Sequence, residues 1–355
     1  MISTIRLQNY RSYRDESFEF EPGVNIVVGP NASGKTNLVE AALVLARGSS
    51  YKARDSDLVR RGAKWSRLDG FFGTSTRSVK LQAEGDTVSK SFIINSKNYH
   101  RLNLERSVPV VFFEPNHLQL ITRGPEQRRE YIDDLLERTR GDFKRLSASY
   151  RRALAQRNAL LKTPPTRAKE QLFAWNIRLS ELGAKIAQSR GELVSQINKN
   201  LTRTYNSIAS QRSSLKLSYD SQFDIERYAS RLLSKLESSV ELDFARGFTA
   251  YGPHREDLTL YLNKQPMSQL ASRGETRSLL LALKIFELSL VEKARGMRPV
   301  FLLDDVFSEL DSARRRALVN YLKDQQTIIT TTDADAVVEY FAGQHTIIPI
   351  AANRQ

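Results

Sequence analysis

Eight residues, Gly29-Pro30-Asn31-Ala32-Ser33-Gly34-Lys35-Thr36, fit the pattern G-x-x-x-x-G-K-T, a spacing suited to holding a nucleoside triphosphate. Backbone N–H groups of such a turn converge on phosphate oxygens. The lysine reaches the β and γ phosphates, and the threonine hydroxyl ligates magnesium. Far along the chain the run Phe301-Leu302-Leu303-Asp304-Asp305-Val306-Phe307-Ser308-Glu309-Leu310-Asp311 supplies the complementary chemistry. Asp304 can support the magnesium shell, and Asp305 can orient or deprotonate an attacking water. Gly29 to Thr36, with Asn37 beside them, are therefore the candidate phosphate-binding residues. Thr36 and Asp304 are the candidate metal ligands, and Lys35 and Asp305 the candidate catalytic pair.

These side chains need elements to hold them. Asn25 to Val28 reads as a short β-branched strand and Asn37 to Ala46 as a helix, which gives the phosphate turn its strand-turn-helix context. Val300 to Leu303 reads as a buried strand that ends at the two aspartates. Upstream, Leu270-Ala271-Ser272-Arg273-Gly274-Glu275-Thr276-Arg277-Ser278 opens a helical run from Leu279 to Val291. Ser272 and Gly274 can present a hydroxyl and N–H groups to an anion there, and a plain helix cap is the alternative.

The 355 residues, 40% of them hydrophobic, suffice for one large domain with an insertion or for two ordinary domains. The absence of cysteine excludes disulfides, thiolate metal sites and cysteine nucleophiles, and four histidines leave little for a histidine metal site. No apolar run is long enough to span a bilayer and the N-terminus lacks a signal peptide's apolar middle, so no membrane association and a cytoplasmic location are expected. A formal charge of +14 predicts attraction to polyanions, nucleic acid first. Between Phe143 and Arg212, fourteen Lys or Arg face only Glu170, Glu181 and Glu192. A merely solvated basic surface is the alternative.

The N-terminal part alternates as strands do at Ile2 to Gln8 and Ser17 to Phe20, further strands are read at Val79 to Ala83 and Ser91 to Ile94, and Val108 to Phe113 is a last apolar strand. From about Glu126 a helical period takes over. Ile132, Leu136, Thr139, Phe143, Leu146, Tyr150, Ala153, Arg157 and Leu160 form one seam, with Thr139 and Arg157 as its imperfect members. After Thr163-Pro164-Pro165-Thr166 a second seam runs from Leu172 to Tyr205, and a third helix is expected from Phe223 to Ser239. Strand pattern returns at Val240 to Phe244 and at Leu258 to Leu262. The expected organisation is an α/β ATPase domain, 1–120 and 245–355, interrupted by a helical arm, 121–244.

The order of phosphate loop, Ser-x-Gly segment, acidic strand and Ser-Glu-Leu-Asp around a helical insertion resembles the SMC-like branch of the P-loop ABC-type ATPases, which share a Rad50-like head. Within it the chain is similar to the RecF family. The narrower resemblance rests on Leu7-Gln8-Asn9-Tyr10-Arg11-Ser12-Tyr13, Gly124 to Asp133, Tyr251-Gly252-Pro253-His254-Arg255-Glu256-Asp257 and Leu302 to Asp311. It implies ATP and Mg2+ as cofactors, and a slow, DNA-dependent ATPase used as a switch. Two copies would dimerise head to tail with ATP and clamp DNA, single-stranded, double-stranded or gapped, in repair and replication. RecR would be the partner, with RecO, helping RecA load at gaps.

By position, Ser272, Gly274 and Glu275 would form the signature that reaches the partner's nucleotide, and Asp311 would lie at the same junction. Glu275 stands where the family has Gln, placing a negative charge near a phosphate with Arg273 and Arg277 as offsetting cations. The family's second carboxylate is usually Glu; Asp305 is one methylene shorter. The switch position falls in Thr330-Thr331-Thr332-Asp333, with Thr332 assigned the role. Glu114, Asn116 and Gln119 are the candidates for the Q-loop. His254-Arg255 is read either as a DNA or inter-lobe contact or as structure. Arg11 is read as close to the nucleotide or as a strand-end arginine, and Trp175 and Tyr150 as core. A transport motor and a small-molecule kinase are the competing functions; the basic excess argues against the first and the Ser-x-Gly segment against the second.

Overall fold

The computed structural model describes residues 1–351 except 86, 121–122, 210, 271, 323–324 and 342–344. The chain opens with strands β1 (Ile2–Tyr10), β2 (Tyr13–Glu19) and β3 (Val24–Val28), then helices α1 (Lys35–Arg47) and α2 (Asp55–Leu58). Strands β4 (Trp65–Phe72), β5 (Ser75–Glu84), β6 (Thr87–Ile94), β7 (Lys97–Tyr99) and β8 (Val110–Phe113) follow. The middle holds α3 (Pro125–Thr139), α4 (Phe143–Leu160), α5 (Pro165–Ala209), β9 (Leu215–Asp220), α6 (Tyr228–Ser238), α7 (Val240–Arg246), β10 (Asp257–Leu262) and β11 (Gln265–Pro266). The chain closes with α8 (Met267–Leu270), α9 (Arg273–Arg295), β12 (Val300–Asp304), α10 (Ser312–Leu322), β13 (Thr327–Thr331), α11 (Asp335–Val338) and β14 (His345–Pro349).

Two compact units result. The first comprises 1–117, 207–210 and 277–355, and the second 118–206 and 211–276. In the first, a parallel sheet of order β14-β3-β13-β12-β8 and an antiparallel sheet of order β2-β1-β4-β5-β6-β7 both contribute to one apolar core. Every residue of α1 from Leu38 to Ala46 is buried, because this helix packs against strands of both sheets. A helix apolar on nearly every side has no other stable place. Gly48, at φ 85°, ends it and returns its N–H to the Val44 carbonyl at 2.8 Å.

The second unit differs from the sequence reading in four ways. The first seam, read as one helix, is two: Arg140 is extended and Gly141 follows, so α3 and α4 meet at a turn with no apolar residue to continue the stripe. The third helix begins at Tyr228 instead of Phe223, after a 3-10 turn over Ile225–Arg227 opened by Asp224. The strand expected at Val240 to Phe244 is helix α7. Its alternation misleads because Asp243 takes the wholly buried position and Leu242 is exposed. Gly247, at φ 73°, caps it in the left-handed region that favours glycine. Finally, β10 pairs along its whole length with β9, a strand the sequence reading did not identify. The stretch 245–276 therefore belongs to the second unit, and the chain re-enters the first at Arg277. The other expected boundary, at 120/121, touches residues outside those described.

Candidate nucleotide site

Strands β3, β13 and β12 lie side by side and parallel, so their carboxyl ends open on one edge, the usual ligand edge of an open α/β sheet. Leaving β3, the chain enters the phosphate loop. Gly29 donates its N–H to the Thr331 carbonyl at 3.4 Å, and a Cβ on Gly29 would meet the Ile350 carbonyl oxygen at 2.6 Å. Gly34, at φ 109°, caps α1 in a conformation unsuited to L side chains, and a Cβ there would meet Tyr13 Oη at 2.7 Å. Both motif glycines are thus dictated by space, and Gly34 by backbone as well. Ala32, at φ 63°, completes the turn. Ser33 Oγ is buried with no hydrogen-bond partner among the described residues, which leaves a hydroxyl in the cradle able to serve a phosphate.

Lys35 is buried and donates to the carbonyls of Gly29 at 2.9 Å and Pro30 at 3.0 Å. The Thr36 hydroxyl donates to Asp304 Oδ1 at 3.1 Å, joining the two sequence-distant halves of the site. Thr330, on β13, donates to the same oxygen at 2.8 Å and accepts the Asp305 N–H at 2.9 Å. One hydroxyl therefore fixes both aspartates. Asp305 sits at φ 53°, a left-handed conformation that persists only where its surroundings impose it. Burial, then the charge of Asp304, raises the Asp305 pKa; Lys35 opposes the shift and Glu309 adds to it. A carboxyl so raised is a better base near neutral pH than an ordinary aspartate.

Of the three Q-loop candidates, Glu114 feels the Asp304 charge. Its pKa is raised by burial and by Asp304, and lowered by Tyr51, Lys52 and Asn116. Tyr51 packs at a tilt against Phe112 with ring centroids 4.4 Å apart, and its own pKa is raised by burial and by Glu114 and Asp304. Tyr51 carries no motif, so nothing in the sequence points to it. Thr330 lay within the segment expected for the switch. Thr332, the residue assigned that role, is exposed just beyond β13.

In the second unit, Ser272 and Glu275 form a reciprocal capping box at the start of α9. The Ser272 N–H donates to Glu275 Oε2 at 2.8 Å, and the Glu275 N–H to Ser272 Oγ at 3.2 Å. The carboxylate that departs from the family pattern thus has a local task. Gly274 lies in the same first turn, and Ala271 is outside the described residues. In the first unit, Arg277 pairs with Glu309 at 3.4 Å. Asp311 accepts the Arg314 N–H at 2.9 Å as the cap of α10 and pairs with the Arg314 guanidinium. Arg314 also donates to Ser278 Oγ at 2.8 Å.

The remaining candidates are held by neighbouring groups. Arg11 makes a bidentate pair with the buried Glu40 at 2.9 Å. His254 Nε2 faces the Thr249 carbonyl at 3.1 Å, so Nδ1 accepts from Tyr150 Oη at 2.8 Å. Burial holds the His254 pKa down at about 4, which keeps the ring neutral. Tyr150 is buried as expected and Trp175 half-buried. The neighbouring Glu256 is buried and accepts from Tyr228 at 2.8 Å, from Tyr219 and from the Gln222 N–H at 3.0 Å.

A phosphate loop answered across a parallel sheet by a strand ending in two carboxylates, beside an antiparallel sheet, defines a P-loop ATPase head of the SMC-like ABC type. The sequence matches the family described as "RecF/RecN/SMC N terminal domain" over residues 1–344. It is 31% identical over 346 residues to the DNA replication and repair protein RecF of Desulfitobacterium hafniense, covering 95% of each chain. To the RecF of Acidothermus cellulolyticus it is 33% identical, covering 94% of each. Among solved structures, that of the recombination mediator protein RecF with ATPrS superposes with a TM-score of 0.84 at 27% identity, over 95% of this chain and 94% of that one. An SMC head bound to the C-terminal winged-helix domain of ScpA shares the fold, with a TM-score of 0.56 at 17% identity and 96% and 91% coverage. The chain belongs to the RecF family of SMC-like ATPases.

Proposed function

We propose that this protein is an ATP-gated DNA-binding factor of recombinational repair and replication, in which nucleotide works as a switch. The observation that carries the reading is the single constellation of Thr36, Asp304, Thr330 and Asp305 at the mouth of the phosphate loop. RecF relatives are named for DNA replication and repair, and one solved RecF structure is described with ATP in the RecFOR pathway. Gly29 to Asn37 cradle the triphosphate, with Lys35 leaving its two carbonyls for the β and γ phosphates. Thr36 and Asp304 offer hard oxygens, the donor set Mg2+ uses beside substrate phosphates, so the residues fit that ion. When bound, the ion would neutralise phosphate charge. Asp305 takes the proton of the attacking water, and its short side chain makes turnover slow. Thr332 serves the γ-phosphate as the switch residue.

Ser272, Gly274, Glu275 and Asp311 of one copy face the nucleotide of the other, so that ATP drives a head-to-tail dimer that clamps DNA until hydrolysis. The basic middle segment supplies phosphate contacts, and binding therefore weakens with salt. RecR is the partner, with RecO, in loading RecA at single-strand gaps. The competing motor and kinase readings lack an observation in their favour. Sedimentation with ATP and magnesium, with and without DNA, tests the proposal. Wild type should dimerise and bind DNA, Asp305→Asn should hold DNA longer, and Lys35→Met should do neither. A wild type that stays monomeric and ignores DNA overturns the clamp.

A further inference from the structure

We infer that the turn between β1 and β2, Arg11-Ser12-Tyr13, is a positioning clamp that aims the phosphate cradle by gripping α1 at three successive turns. The inference rests on the nucleotide reading above. Tyr13 donates its hydroxyl to the Gly34 carbonyl at 2.9 Å. One turn on, Asn37 Nδ2 donates to Ser12 Oγ at 3.0 Å, and one turn further Arg11 holds Glu40 through two bonds of 2.9 Å. Positions 34, 37 and 40 share a helix face, so three consecutive residues of the turn meet it in reverse order.

The clamp acts on the site through one peptide plane. The Gly34 carbonyl and the Lys35 N–H belong to the same rigid unit, and that N–H is one of the free donors at the start of α1. The Gly34 carbonyl already accepts the Leu38 N–H at 3.0 Å, and the Tyr13 hydroxyl adds a second donor that fixes its tilt. Gly34 in turn is the residue whose missing Cβ admits Tyr13 and Ser12.

The turn is built to be stiff. Arg11 is left-handed at φ 52°, its N–H is held by the Leu58 carbonyl at 3.0 Å, and Arg60 donates to the Ser12 carbonyl at 3.0 Å. Glu40 is wholly buried and takes a further bond of 2.6 Å from Ser50, which also anchors the N–H groups of Lys52 and Ala53. The loop that carries Tyr51 therefore hangs from the same carboxylate.

Tyr13→Phe removes only the hydroxyl, and Ser12→Ala only the partner of Asn37. The measurements are ATP affinity in the presence of magnesium by titration, kcat and KM separately, and melting without nucleotide. The clamp predicts that Tyr13→Phe weakens ATP affinity about fivefold. Ser12→Ala should weaken it less, with kcat nearly unchanged and melting within about 2 °C of wild type for both. Unchanged affinity in both variants overturns the inference, as does a loss that only follows a large fall in melting temperature. A wild type that binds no ATP removes the nucleotide reading itself.

Discussion

The nucleotide site and the second unit handle buried polar groups in opposite ways. In the first, the polar side chains of the site gather at strand ends, and most partners of a residue lie on the adjacent strand or the next turn, as with Thr36, Asp304 and Thr330. In the second, charge is buried deep among helices. Arg157 is fully buried and bonds Asn176 at 2.7 Å, Asp243 at 2.8 Å and Thr249 at 2.8 Å, tying α4 to α5, α7 and the loop beyond. Arg190 similarly holds Asp133 through bonds of 2.9 and 2.8 Å and the Pro253 carbonyl at 2.7 Å. The first arrangement leaves polar groups free to exchange partners with a ligand; the second fixes a unique packing. A buried ion pair adds little net energy over apolar residues but costs much when half of it is removed.

The largest effect is expected where that contrast is sharpest. Arg157→Met should cost about 3–5 kcal/mol, read as a shift in the denaturant midpoint, because Asp243 is left buried and unpaired. The double variant with Asp243→Leu should recover much of the loss. A single variant as stable as wild type would mean that the second unit does not depend on its buried charges.

At the site the effect should fall on rate instead. Thr330→Val keeps the shape but removes the hydroxyl that serves both aspartates, and kcat should drop about tenfold or more at nearly unchanged melting temperature. Equal loss of stability and rate would erase the distinction between the two units.

The smallest effect is one of pH. Asp305 must be ionised to act as a base, and burial and Asp304 raise its pKa. The acid limb of kcat/KM should therefore lie above the ordinary aspartate value of about 3.9, with rate lost as pH falls through it. A limb at the ordinary value would assign the base to another group.

Much of the first unit was legible because its code is local. A glycine that must avoid a Cβ, a lysine beside it and an apolar strand ending in carboxylates all lie within short windows. The apolar runs of β3 and β12 read directly as buried strands, whereas β13, which lies between them, and its register came only with the structure. Thr330 escaped selection because a hydroxyl among three threonines carries no spacing of its own. The arm was legible only in outline. Arg157 looked like a flaw in an apolar seam, and Val240 to Phe244 looked like a strand, because the residue that gives both their meaning, Asp243, lies 86 positions from Arg157.

The sequence by itself determined that a phosphate loop and a distant acidic strand exist, that a basic helical insertion separates them, and that Thr36 and Asp304 are candidate partners across that gap. Glycine sterics, charge and apolar periodicity are properties of neighbouring residues and need no fold to express them. Tertiary structure alone decided that Thr330 holds both aspartates, that β10 completes the second unit, and that Tyr13 reaches the phosphate loop. Each is a hydrogen bond or pairing whose partner is chosen by packing, and packing is settled only when distant segments compete for the same space.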